Sequence, residues 1–249
     1  MYLIGDIGNT ETKICLIKEN QRISKKLILK TSKIEPKYLK KKLRILNKYK
    51  FSIKKILFSS VVPKTYKKIK VYLKKNIKLS PKELKEIELK NFIKIKVNKK
   101  QVGSDRLANA IGISKKNKNF IIVDFGTATT FDIVINDKYL GGVIAPGVNL
   151  SLKTLIMKAS LIPDLKVTKI SNVIGNNTSS AVKSGFYWGY AGLIDNLIKM
   201  IIKQTRKKFD LILTGGLSDV FKNSIKFKSS IVKDLTILGL FKVIKNLNI

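Results

Sequence analysis

The chain has 249 residues, 44% of them hydrophobic, which is enough for one large domain or two small ones with real cores. No apolar run approaches the roughly eighteen residues of a membrane span, and Cys15 alone cannot form an intramolecular disulfide. Composition therefore excludes a disulfide-stapled fold and a spanning helix, and points to a reducing cytoplasm.

The net charge is +35, from 51 Lys+Arg against 16 Asp+Glu, which invites a nucleic-acid partner. Yet the only arginines are Arg22, Arg44, Arg106 and Arg206, and the lysines come with abundant Ile and Asn. All three residue types are favoured by AT-rich codons. The basic residues are scattered and lack regular aromatic interleaving, so a solvated surface is favoured, with no nucleic acid and no membrane as partner. Histidine is absent, which leaves proton transfer to Asp, Glu, Lys, Tyr or water.

In chain order, residues 2–6, 12–18 and 23–29 read as three short strands split by a Gly-Asn turn and a polar turn. The N-terminal apolar run has no basic segment before it and is read as a buried strand, not a signal peptide. A Lys-rich amphipathic helix is expected over about 35–48, then a strand over 55–60 that runs into Val61-Val62-Pro63. Residues 64–101 are basic and weakly patterned, and 107–114 close the first half as a helix. The second half restarts with strands at 120–124, 129–136 and 139–144. Helices near 150–159 and 179–203 follow, and a late strand at 211–213 enters Thr214-Gly215-Gly216. No Pro- or Gly-rich linker separates the halves. They are expected as an N-terminal lobe, 1–114, and a C-terminal lobe, 115–249, packed about a cleft.

The two restarts superpose. Asp6-Ile7-Gly8-Asn9-Thr10-Glu11-Thr12 matches Asp124-Phe125-Gly126-Thr127-Ala128-Thr129-Thr130 at an offset of 118 residues. A carboxylate at a strand end suits a cation, and glycine lets backbone approach phosphate. One Asp-x-Gly alone would more often mark a tight turn. Two copies at half-chain spacing, with a late Gly-Gly loop, favour a duplicated phosphate-binding hairpin.

The segments "DIGNT", "GSDR", "DFGTATTFD", "YLGGVIAPG" and "IGNNTSSAVKSG", in this order and spacing, resemble the type III pantothenate kinases of the acetate and sugar kinase, Hsp70 and actin superfamily. The resemblance covers nearly the whole chain and is weakest over 19–95 and after 220. It implies an α/β fold of two ribonuclease H-like lobes, each a mixed β-sheet with flanking helices, as in actin-like ATPases. It further implies ATP-dependent phosphorylation of pantothenate, with Mg²⁺, a monovalent cation (K⁺ or NH₄⁺) and a homodimer.

By that resemblance Asp6 holds Mg²⁺, directly or through water, and Ile7, Gly8, Asn9, Thr10, Glu11, Thr12 and Lys13, with Thr127, bind ATP. Asp105 is the general base, Gly103, Ser104, Asp105 and Arg106 line the acceptor pocket, Thr178 contacts pantothenate, and Asp124 binds potassium. Local readings stand beside these. Asp105 could cap a helix starting at Arg106, and Thr178 could be a helix N-cap. Asp132 reads as a buried strand carboxylate. Gly141, Gly142 and Gly147 read as backbone spacers, and Tyr187, Trp188 and Tyr190 as core or subunit interface. Lys96 stands where the family carries a substrate-contacting Tyr, which bears on the shape of the acceptor pocket. Two other classes compete: a catalytically weak regulatory homologue of the Bvg accessory factor kind, and an actin-like nucleotide-binding filament protein.

Overall fold

The computed structural model describes residues 1–247 of the chain. Apolar residues crowd β1 (Tyr2–Ile7), where Leu3, Ile4 and Ile7 are all buried, as a central strand requires. β2 (Glu11–Ile17) and β3 (Ile23–Lys30) extend it as an antiparallel meander. The chain then leaves through α1 (Pro36–Lys42) and a 3₁₀ stretch, Arg44–Ser52, and returns as β4 (Lys55–Ser60), parallel to β1. α2 (Pro63–Ile77) leads to the two-residue β5 (Lys82–Glu83), parallel to β4, and the sheet order is β3-β2-β1-β4-β5. β6 (Lys94–Ile95) and α3 (Ser104–Ile113) follow.

The second unit repeats this plan. β7 (Asn119–Phe125), β8 (Ala128–Ile135) and β9 (Lys138–Pro146) form an antiparallel meander. After α4 (Val148–Lys158) and the long α5 (Thr178–Thr205), β10 (Asp210–Gly215) enters parallel to β7. The short α6 (Ser218–Phe221) and β11 (Ser229–Ile231), parallel to β10, follow, and this unit's own strands lie in the order β9-β8-β7-β10-β11. Each unit thus has an antiparallel meander joined through its first strand to parallel strands, which is the duplicated mixed-sheet architecture expected. Its core lies between sheet and helices: Leu3, Ile14, Phe58 and Ile69 in the first unit, Val123, Phe131, Tyr187 and Leu213 in the second.

One boundary differs from expectation. The units are Met1–Ser114 with the residues from Leu235 onward, and Lys115–Asp234, so the C-terminal helix α7 (Leu235–Lys245) belongs to the first unit. Its contacts say why. Phe241 packs edge-on against Tyr2 at 5.9 Å, and Thr236 Oγ1 donates to Asn109 Oδ1 at 2.8 Å. Lys242 Nζ donates to the carbonyls of Ile111 and Ser114, both at 3.1 Å, placing a cation on the C-terminal end of α3.

The helix expected over 35–48 stops at Lys42, because Leu43 leaves helical geometry at φ −95°, ψ 5°. The weakly patterned stretch after Pro63 holds α2, with Pro at its first turn and Tyr66, Ile69, Leu73 and Ile77 buried on one face. None of the described helices is long and apolar enough to cross a membrane.

Candidate active site

Asp6 lies one residue from the end of β1, opposite Lys13 in the antiparallel register, so their side chains share a face. Its parallel neighbour on β4 is Ser59, whose Oγ donates to Asp6 Oδ1 at 3.0 Å. The turn closes with the Gly8 N–H on the Glu11 carbonyl at 3.0 Å, leaving Asn9, Thr10 and Glu11 exposed and Lys13 half-buried. Behind it, Ile7 and Thr12 are completely buried. Thr31 clasps the turn from below: its hydroxyl donates to the Gly8 carbonyl at 2.8 Å and its N–H reaches the Thr10 carbonyl at 3.0 Å. With that proton committed, Thr12 is the donor in the 3.0 Å contact between the two threonine hydroxyls. Sequence reasoning missed Thr31, since only the β2–β3 pairing brings it under the turn.

Next to Ser59, Ser60 joins the strand end to α3. The Ser60 N–H donates to Ser104 Oγ at 2.7 Å, and Ser104 Oγ donates to the Ser60 carbonyl at 3.0 Å. Ser104 is 1% exposed, so its hydroxyl is committed to the backbone. Gly103 is the N-cap of α3, not Asp105, and the helix starts at Ser104 instead of Arg106. Asp105 occupies the first turn, where its Oδ1 accepts the Arg106 N–H at 2.8 Å. A Cβ at Gly103 would fall on that carboxyl, so the close return of Asp105 needs glycine there. Burial pushes the Asp105 carboxyl above its usual range, outweighing the Arg106 N–H, the Arg106 charge and Lys85. The Ser59-Ser60 pair therefore fixes two carboxylates, Asp6 through a side chain and Asp105 through the first turn of its helix.

In the second unit Asp124 is flanked in register by Thr130 on β8 and Thr214 on β10. The turn is one residue tighter than the first: the Gly126 N–H bonds to the Ala128 carbonyl at 3.1 Å. The residue that pairs beside the carboxylate strand end, as Thr12 does with Ile7, is hence Thr129, opposite Phe125, and not Thr130. Both Thr12 and Thr129 are fully buried. Thr127 is exposed at the tip, and Gly147, the N-cap of α4, lies against its carbonyl. On the other side Gly215 takes φ +86°, and the Gly216 N–H donates to the Phe125 carbonyl at 3.1 Å.

Other candidates fall elsewhere. Thr178 is exposed at the first position of α5, and the N-cap is Asn177, whose side chain accepts the Ser180 N–H at 2.9 Å. The Ser180 hydroxyl returns to Asn177 N–H, and this reciprocal box moves the cap one residue ahead of Thr178. Asp132 is fully buried and accepts the Tyr139 hydroxyl at 2.7 Å, a strand carboxylate held by its neighbouring strand. Tyr187, Trp188 and Tyr190 pack with Phe221 or with one another in the second core. Lys96 is exposed.

Comparison with known proteins gives the family. The model of the type III pantothenate kinase family matches residues 2–200. A type III pantothenate kinase of Pelagibacter ubique is 56% identical over 242 residues, covering 97% of this chain and 98% of its own. Another, from Sulfurihydrogenibium, is 38% identical over 97% and 98%. Among solved structures, a Baf-family protein of Campylobacter jejuni superposes with a TM-score of 0.61 at 22% identity, over 98% of this chain and 97% of that one. Component A of the (R)-2-hydroxyglutaryl-CoA dehydratase of Acidaminococcus fermentans gives 0.57 at 12%, over 97% and 98%. These two likenesses concern the fold, which is that of the actin-like kinases and ATPases. Matched along most of its length by the family and along nearly all of it by the Pelagibacter protein, the chain belongs to the type III pantothenate kinases.

Proposed function

We propose that the chain transfers the γ-phosphoryl group of ATP to the primary hydroxyl of pantothenate, giving 4′-phosphopantothenate, the first step of coenzyme A synthesis. The observation that carries this reading is Asp105, a carboxylate raised by burial and anchored at the start of α3, in a chain of this family without histidine. A base whose affinity for protons is raised toward the working pH is suited to accept one. Asp105 orients the acceptor hydroxyl and takes its proton as the new P–O bond forms. Gly103, Ser104 and Arg106 shape the acceptor side, Ser104 through its backbone, and Thr178 contacts pantothenate from α5. The exposed Asn9 and Thr10, the backbone of the turn from Gly8 to Glu11 and Lys13 face ATP phosphates, with Thr127 contacting ATP at the second turn. Ile7 and Thr12 support the first turn from behind.

The donor set fits the two expected cations. Among the described residues no group of three or more His, Cys, Asp or Glu side chains could hold a metal. A lone carboxylate such as Asp6 suits Mg²⁺, which keeps water and takes other oxygens from substrate phosphates. Asp124, at a strand end opened by Gly215, suits a loosely held K⁺ or NH₄⁺. When bound, these cations offset charge on the phosphates in a loose, in-line transition state. We place the chain in the cytoplasm and as a homodimer. Exposed apolar side chains on β9 and α4, Ile144, Leu150 and Met157, support a self-association face.

The test is ADP release from ATP and Mg²⁺, with and without pantothenate, in potassium and in sodium. Pantothenate-dependent turnover that is faster in potassium is expected. No ADP above the pantothenate-free background would overturn the assignment. Thr31→Val, which keeps shape but deletes the clasp hydroxyl, should raise KM for ATP about fivefold, the equivalent of about 1 kcal/mol for one net hydrogen bond, with kcat little changed. Steady-state kinetics at varied ATP would check it.

A further inference from the structure

Glu83 is a half-buried carboxylate to which neither the sequence nor the proposed chemistry gives a role. It ends β5, beside Phe58 of β4, two strand positions before Ser60. Its Oε2 accepts the Lys85 N–H at 2.7 Å, and its own N–H donates to Glu86 Oε2 at 3.1 Å, a reciprocal cap on a three-residue 3₁₀ turn. That cap uses one oxygen. The other, Oε1, is buried without a hydrogen-bond partner, and Ser104 and the Ser60 N–H face the carboxyl. A surface cap would leave its second oxygen in water, where it costs nothing. Here it lies under the first turn of α3, at the joint that carries Asp105, where an unsatisfied oxygen is costly.

We propose that Glu83 is a positioning residue for Asp105, acting through Ser104 and the Ser60 backbone. The inference rests on Asp105 being the base. Burial raises the Glu83 carboxyl above its ordinary value, so it passes from neutral donor to anion at a higher pH than an exposed glutamate. Ser104 and the Ser60 N–H favour its anion as donors, and that anion adds negative charge beside α3. The ionisable groups around it are Lys85 and Glu86 on its own turn, Tyr66 on α2, and Asp105 and Arg106 next to Ser104 on α3. The Lys85 charge favours the ionised form of both Glu83 and Asp105.

The test compares pH profiles of kcat for wild type, Glu83→Gln and Glu83→Ala, with Asp105→Asn alongside. Glu83→Gln keeps the shape and a donor but carries no charge. Its plateau kcat should stay within about threefold of wild type, while its acid limb moves down by roughly half a pH unit, because Asp105 loses a negative neighbour. Glu83→Ala should lower kcat about tenfold, with KM for ATP unchanged within about twofold. If Glu83→Ala does not fold, the Gln profile decides alone. A Gln profile that superimposes on wild type, with Asp105→Asn inactive, overturns the proposal and leaves the base in place. An active Asp105→Asn overturns the base reading and this proposal with it.

Discussion

Asp105→Asn should lower kcat about 10²- to 10⁴-fold and at the same time raise the melting temperature at neutral pH. The two effects have one origin. Burial makes the ionised carboxyl unfavourable, which raises its proton affinity and also burdens the folded state. Well below the ordinary value of 3.8, Asp105 is protonated whether the chain is folded or not, and wild type gives up nothing. As pH rises through the elevated folded value, wild type must ionise a partly buried group, so its stability falls relative to the neutral Asn variant. Asparagine keeps the oxygen that accepts the Arg106 N–H, so the first turn of α3 remains intact. Melting curves at pH 7 and near pH 3, beside ADP release, check both halves: the variant's advantage should be present at pH 7 and close at the lower pH. An inactive variant that is also less stable at pH 7 would mean that Asp105 holds the helix together and that lost activity follows lost structure. Activity above about a tenth of wild type would remove Asp105 from the chemistry.

The duplicated hairpin was legible because a strand end, a turn glycine and a carboxylate are local features, and the continuous apolar runs of the central strands read directly from residues such as Leu3, Ile14 and Val123. What stayed hidden depends on pairing far along the chain. Ser59, Ser60 and Ser104 are ordinary serines until β4 lies beside β1 and α3 docks 44 residues later. Thr31 and Glu83 gain meaning in the same way. The tighter second turn was concealed by adjacent threonines, Thr129 and Thr130, either of which could match Thr12, and only the register opposite Phe125 separates them. α2 carried a usable 3-4-4 spacing in Tyr66, Ile69, Leu73 and Ile77, but lysines between them flattened the contrast that periodicity relies on. The placement of α7 could not follow from its own residues. It is apolar around most of its circumference, with Leu240, Phe241, Val243 and Ile244 all buried, so its pattern does not say which unit it packs on. Its place with the first unit is set by Tyr2, Asn109 and the end of α3.

Gly215→Ala should strongly destabilise the second unit, because it combines backbone strain with a clash. At φ +86° an L-residue carries a backbone penalty of about 1–2 kcal/mol. The added Cβ would also lie 2.6 Å from Asp124 Oδ1 and from both N and O of Phe125. Two of those atoms are backbone and cannot rotate away, so β10 and β7 must separate where Thr214 pairs with Asp124. Overpacking of this kind costs about 1–3 kcal/mol, and the combined loss should lower the melting temperature by about 5–15 °C. The same displacement moves the carboxylate assigned to the monovalent cation, so residual activity should require more potassium than wild type. Gly216→Ala is the matched control: nothing lies within 4 Å of its Cβ, and its stability should change by less than about 0.5 kcal/mol. Thermal melts and potassium titrations of the pair separate the effects. A Gly215→Ala protein as stable as the Gly216 control would show that the strand ends yield without strain. A destabilised one with an unchanged potassium response would detach Asp124 from the cation.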